Sequence, residues 1–323
     1  MRRSPGPTAP PARSRFGDAW VGGANRASLW SGSAASWVNL NPAGATESRA
    51  LGTTGTQQVG LANVGGVERA SLWSGSAASW VDLHPVGPTS SLAYSISGTQ
   101  QVGWAVVSGL FRASLWSGTA ASWVDLNPAG STRSLALGIS GTQQVGHANV
   151  GGSGPRASMW SGTAASWVSL HPAGSTESAA NGTTGTQQVG YAIVGGIAQR
   201  ASLWSGSAAS WVNLDPFGST LSEALDIFGT QQVGYAWFGG AQRASLWSGS
   251  AVSWVDLHAY LPAGFSDSLA WRISSVGSFT YVVGDGFNTN TSRREALLWV
   301  IPAPGAATVL GLAGLMGAGR RRR

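Results

Sequence analysis

Cysteine is absent. That removes disulfide frameworks, thiolate nucleophiles and Cys-ligated metals, and it leaves packing as the source of stability. Lysine is absent too, and only 10% of the residues are charged, a low share for a globular domain. The formal net charge of +6 misleads, because eight of the 19 basic residues are tail arginines: Arg2, Arg3, Arg13, Arg15 and Arg320 to Arg323. The stretch between them carries 11 Arg against 13 acids, so it lacks the basic stripe that a nucleic-acid partner requires. No P-loop, HExxH, GxSxG or EF-hand pattern is present, and nothing calls for a cofactor. No window sustains apolar residues at i, i+3, i+4 and i+7, so helix is not expected before the C-terminus.

What is present is a repeat. The stretch Arg112-Ala-Ser-Leu-Trp-Ser-Gly-Thr-Ala-Ala-Ser-Trp-Val-Asp-Leu126 recurs in near copies, each marked by a tryptophan. These are Trp30, Trp73, Trp116, Trp160, Trp204, Trp247 and, in a degraded copy, Trp299, at spacings of 43, 43, 44, 44, 43 and 52 residues. A second Trp follows seven residues after each of the first six (Trp37, Trp80, Trp123, Trp167, Trp211, Trp254). Thirteen of the 17 Trp thus belong to the repeat, which favours packing over binding for most of them.

One unit reads as four short strands, over residues 134–140, 143–150, 156–160 and 166–170, separated by Gly-rich turns. A four-stranded unit of this length matches a β-propeller blade. Strands alternating Ala, Ser and Gly with Trp, Leu and Val suit blades that pack on both faces; an open β-solenoid is the alternative. The sequence therefore predicts an all-β, seven-bladed propeller over residues 16–300. A basic tail, expected to be disordered, occupies 1–15, and a short apolar C-terminal helix lies within 301–323. Residues 17–23 look like a second strand lacking its first, and the seventh copy lacks its fourth. Residues 1–15 hold no apolar signal region. The missing strand and a signal peptide are together expected in coding sequence upstream of Met1.

Several columns of the repeat carry polar chemistry. Arg26, Arg69, Arg112, Arg156, Arg200 and Arg243 share one, and Asp82, Asp125 and Asp256 lie thirteen residues further on in their units. Ion pairing across the hairpin is expected, with anion binding the alternative. Another column runs Asn41, His84, Asn127, His171, Asp215 and His258. Its three imidazoles, His84, His171 and His258, are a candidate Zn or Cu set; a polar residue suited to the position before a turn proline is the plainer reading. Catalysis by paired carboxylates needs unlike environments, so an enzyme's acids would be the unrepeated ones: Glu223, Asp226, Asp267 and Asp285, with Arg272 nearby. Glu47 and Glu177 are taken as sharing the column of Glu223.

The C-terminus has three parts: Pro302-Ala303-Pro304, an apolar run over 305–319, and Arg320, Arg321, Arg322 and Arg323. Those 15 apolar residues make ~22 Å of helix, short of a ~30 Å hydrocarbon core, and the arginines would hold that end in the cytoplasm. The layout resembles the PEP-CTERM sorting signal of Gram-negative bacteria, although Ala303 stands where that family usually has Glu. The resemblance implies export, transient inner-membrane anchoring, cleavage near the proline motif by an exosortase-like enzyme, and a destination at or beyond the cell surface. The array is similar to HAF-type extracellular repeats, through Ala136-Leu-Gly-Ile139, Gln143-Gln-Val-Gly146, Ser114-Leu-Trp116 and Asp125-Leu126. That likeness implies a propeller-like surface protein.

The function expected is a non-enzymatic cell-surface or matrix repeat protein making multivalent contacts with extracellular polysaccharide or protein, since equal repeated sites suit avidity. The alternatives are a carbohydrate-active lyase or hydrolase with a site on one rim, and a structural spacer.

Overall fold

Runs of Ala, Ser, Val and Leu bounded by glycine form seven antiparallel sheets in the computed structural model, which describes residues 14–302 apart from Gly32, Ser153 and Ile197. The tail over 1–13, Ala303, Pro304, the apolar run with its expected helix, and the four terminal arginines lie outside the described residues. Five sheets have four strands; the first and seventh have three. The fifth sheet is representative, with strands Ser175–Thr183, Gln188–Val194, Ala198–Trp204 and Val212–Asn213 in that order. Among the described residues the first sheet holds Ser14–Val21, Ala24–Ser31 and Val38–Asn39; the strand expected over 17–23 is Ser14–Val21, which begins inside the expected tail. The seventh holds Leu269–Val276, Phe279–Asn288 and Arg293–Pro302.

The fourth strand is where expectation and structure part. Residues 166–170 were expected to be extended, but Ala164–Ser166 is a single 3-10 turn and only Val168–Ser169 pairs. The cause is a serine: Ser166 Oγ accepts the amide of Ser161 and donates to the carbonyl of Thr163, curling the chain before it reaches the sheet. The following Trp167 then donates its indole N–H to Ser158 Oγ at 2.9 Å. Short side-chain bonds to nearby backbone compete with the ladder here.

The first strands of the second, third, fifth and sixth sheets carry a bulge, such as the register shift between Ala180 and Gly182 opposite Gly190. A Cβ on Gly190 would lie 1.9 Å from the carbonyl oxygen of Ala179, so only glycine fits there.

The core lies between successive sheets. Trp204 of the fifth sheet is fully buried against Val145, Ala157 and Leu170 of the fourth, beside Ala180 and Ala192. Trp247 of the sixth repeats this against Val189, Ala201, Leu203 and Leu214 of the fifth. Alanines at no exposure let these sheets approach, and one large ring fills the space between them. The chain divides into two compact units. One runs to Asn127 and includes Arg133–Ala136; the other comprises Pro128–Thr132 and the residues from Leu137 on.

Candidate functional site

The arginine column forms the expected hairpin pairs. Arg69 meets Asp82 at 2.7 Å, Arg112 meets Asp125 at 2.8 Å and Arg243 meets Asp256 at 2.7 Å. Arg200 finds a partner that spacing did not indicate: Asn213 stands in its acidic column, and Asp215, two residues on, takes its guanidinium at 2.6 Å. Arg26 donates to the carbonyls of Ala45 and Thr46. These pairs are partly exposed and contribute ~0–1 kcal/mol each.

The column holding His84, His171 and His258 fastens one sheet to the next. In the first junction Ser48 Oγ accepts the amide of Ala27 and donates to Asn41 Oδ1. Ser134 does the same for Ala113 and Asn127, and Ser222 for Ala201 and Asp215. At the other three junctions a histidine takes the acceptor's place. His84 Nδ1 lies 2.8 Å from Ser91 Oγ, His171 Nδ1 2.7 Å from Ser178 Oγ, and His258 Nδ1 2.9 Å from Ser268 Oγ. Because Asn and Asp accept at this position, we assign Nδ1 as the acceptor and the proton to Nε2. His171 agrees, with Nε2 3.0 Å from the carbonyl of Ser175. Burial is the first cause lowering the pKa of all three from the ordinary 6.5.

The Nδ1 of each of the three histidines is engaged by a serine of its own junction. Among the described residues no three His, Asp or Glu side chains gather as a metal-binding group.

The unrepeated acids split into two groups. Asp267 and Asp285 both pair with Arg294, at 3.1 and 2.8 Å, and Asp285 also accepts the indole N–H of Trp271. Glu223 and Asp226 belong to the sixth sheet's first strand, Leu221–Phe228. Register corrects the sequence alignment here. Glu47 and Glu177 pair with Asn63 and Ile193, whereas Glu223 pairs with Tyr235, the position that Arg49 and Ala179 hold in their sheets. Glu223 is thus unique among the columns. It accepts from Tyr235 Oη at 2.7 Å, Gln199 Nε2 at 2.7 Å and Asn181 Nδ2 at 2.8 Å. Burial, followed by Glu223 and Glu177, pushes the Tyr191 hydroxyl up to about 12, and burial with Glu223 raises Tyr235 as well. Asp226 accepts the amide of Ile273 at 2.9 Å; burial raises its carboxyl above the ordinary range, against the lowering by Arg272.

An open groove departs from this saturated pattern. It lies where the connection after the fifth sheet meets the 3-10 turn of the sixth (Ala251–Ser253), encloses about 530 Å³, and is lined by Arg200, Asp215, Phe217, Val252 and Trp254 among others. Phe217 and Val252 are 103% and 96% exposed. Alanine stands at the Val252 position in the other five units (Ala35, Ala78, Ala121, Ala165, Ala209) and at the Phe217 position in three (Ala43, Ala129, Ala173), while the second unit has the fully exposed Val86 there. Trp254 is held by its indole bond to Ser245 Oγ and by Phe238, whose ring centroid is 4.8 Å away. Pro302, from the expected sorting motif, closes the seventh sheet opposite Phe279.

No family model and no curated protein matches the chain. Solved structures do. The β-propeller domain of the Trilobed protease from Pyrococcus furiosus, described as having an open velcro topology, aligns with TM-score 0.56 at 10% identity over 88% of this chain and 90% of that domain. A puromycin hydrolase aligns with TM-score 0.58 at 11% identity over 89% of this chain, and a puromycin-hydrolyzing peptidase from Mycobacterium tuberculosis with TM-score 0.52 at 13% identity over 88%. The chain spans 53% of the length of each of those two enzymes. Identities this low speak for the fold alone, and the fold is a β-propeller of seven sheets.

Proposed function

We propose that this protein is an exported, non-enzymatic repeat scaffold of the bacterial cell surface that binds extracellular polysaccharide at the groove between its fifth and sixth sheets. The observation that carries the reading is the pair of exposed apolar side chains, Phe217 and Val252, which meet at one groove; alanine holds the Val252 position in the other five units and the Phe217 position in three. Beside them sit a fixed indole and the Arg200–Asp215 pair. Aromatic faces match the apolar side of a sugar ring, while a guanidinium and a carboxylate match its hydroxyls. The PEP-CTERM-like ending supports the surface address. The repeated Ala–Ser–acceptor bridges support a scaffold, because the residues of the His84, His171 and His258 column each hold the next sheet.

A carbohydrate-active enzyme is the second reading, favoured by the two carboxylates Glu223 and Asp226 in unlike surroundings. It ranks lower because Glu223 already accepts three side-chain donors and the amide of Ile273 occupies Asp226 Oδ2.

Calorimetric titration with polysaccharide fractions tests the leading reading. Phe217→Ala removes an exposed ring, so the fold is expected to persist while affinity falls by about tenfold, near the value of one aromatic contact. Equal binding by wild type and variant, or no binding by either, contradicts it.

A further inference from the structure

The fifth unit relocates the acid of its arginine pair. In three units the arginine meets an aspartate on the short fourth strand, Asp82, Asp125 or Asp256. The other oxygen of that aspartate accepts the amide two residues on, that of His84, Asn127 or His258. In the fifth unit Asn213 holds the strand position and accepts the amide of Asp215. The carboxylate that meets Arg200 has thus moved two residues along, to the start of the turn that carries Phe217.

The move decides what each charge can still do. Asp215 Oδ2 takes Arg200, Oδ1 takes both Ser219 and Ser222, and the side chain is only 9% exposed. Its acceptor capacity is largely used within the protein. Arg200 commits one nitrogen, Nη1, to Asp215, out of a planar fork with five N–H donors. Its side chain lines the groove at 34% exposure. The Nε atoms of Arg69, Arg112 and Arg243 are buried without a partner, whereas that of Arg200 is not so enclosed. Of the two charged residues lining the groove, Arg200 is the one with hydrogen bonds to spare.

We propose that the groove selects a carboxylate-bearing polysaccharide, a uronic acid polymer, and that Arg200 is the residue that makes the selection. The inference rests on the polysaccharide reading above and names its class. A guanidinium fork meets a carboxylate with two parallel, charge-assisted bonds, whereas a neutral chain offers it weaker hydroxyl acceptors. Asp215 holds the fork in place while Phe217 and Val252 cover the apolar face of the sugar. Its charge also offsets part of the attraction, so selection depends on the fork's geometry more than on net charge.

The probes are polygalacturonate and its methyl ester, which share a backbone and differ in the carboxylate. Titrations of the full chain at about 0.15 M salt screen the exposed tail arginines. Wild type is expected to bind the acid about tenfold more tightly than the ester, a comparison that needs no variant. Arg200→Lys keeps the charge and loses the fork, so it is expected to lower the acid to the ester's affinity and to leave the ester unchanged. Phe217→Ala is expected to weaken both. Equal binding of the two polymers by wild type overturns the proposal and leaves the groove standing, as does an acid preference that survives Arg200→Lys. Binding of neither polymer also overturns it, and the wider set of polysaccharide fractions then decides whether the groove reading falls too. Binding that Phe217→Ala leaves untouched removes the groove reading and this inference together.

Discussion

Gly190 and its equivalents are fixed by the strand beside them, not by their own backbone. A methyl group there would press on the carbonyl of Ala179 at 1.9 Å, and overpacking against backbone costs several kcal/mol. Gly190→Ala is therefore expected to lose about 3 kcal/mol or more of unfolding free energy, read as a lower urea midpoint with unchanged slope. The recurring Val-Gly pair was legible in the sequence, but its reason was not, because the constraint comes from a carbonyl of the neighbouring strand and not from residues beside the pair. The Gln-Gln pairs are similar. The second glutamine, such as Gln144, is fully buried, and its Oε1 accepts the amide of Gly162 at 2.8 Å. A glutamine in a strand gives no sign of that role.

Between elements, the repeated unit of cohesion is the Ala–Ser–acceptor bridge at each junction. Three of the six acceptors are histidines that must be neutral to receive the serine hydroxyl. Burial lowers their pKa in the folded protein, so below the unfolded value of about 6.5 the unfolded chain binds more protons. Stability is then full above about pH 6.5 and falls as pH drops through that value. Asp226, with a raised pKa, works in the opposite sense, so the informative comparison is with a variant carrying His84→Asn, His171→Asn and His258→Asn. Asparagine already serves at Asn41 and Asn127. Thermal melts between pH 7 and pH 5.5 are expected to show a smaller fall in Tm for the triple variant than for wild type; parallel curves would contradict the assignment. Spacing predicted the Arg–Asp pairs well, since a thirteen-residue separation on adjacent strands is a local property. It could not separate a metal set from six bridges, because that depends on serines from the next unit.

At the scale of the molecule, the period of 43–44 residues sufficed for the count of seven sheets among the described residues. That the first tryptophan is fully buried in five of the six pairs, and the second is not, was left to the structure. A repeat reports its architecture strongly because each unit restates the same packing problem. The groove at Phe217 was not found that way, since it comes from two departures from the repeat that only the fold brings together. The surface address rests on the C-terminal segment, and processing decides it. The most direct measurement is the intact mass and terminal sequences of the protein recovered from its host's membrane and culture fractions. A mature chain ending near Pro302 in the surface or culture fraction is expected. A chain retained whole to Arg323 inside the cell would contradict the surface assignment, and the polysaccharide reading would fall with it.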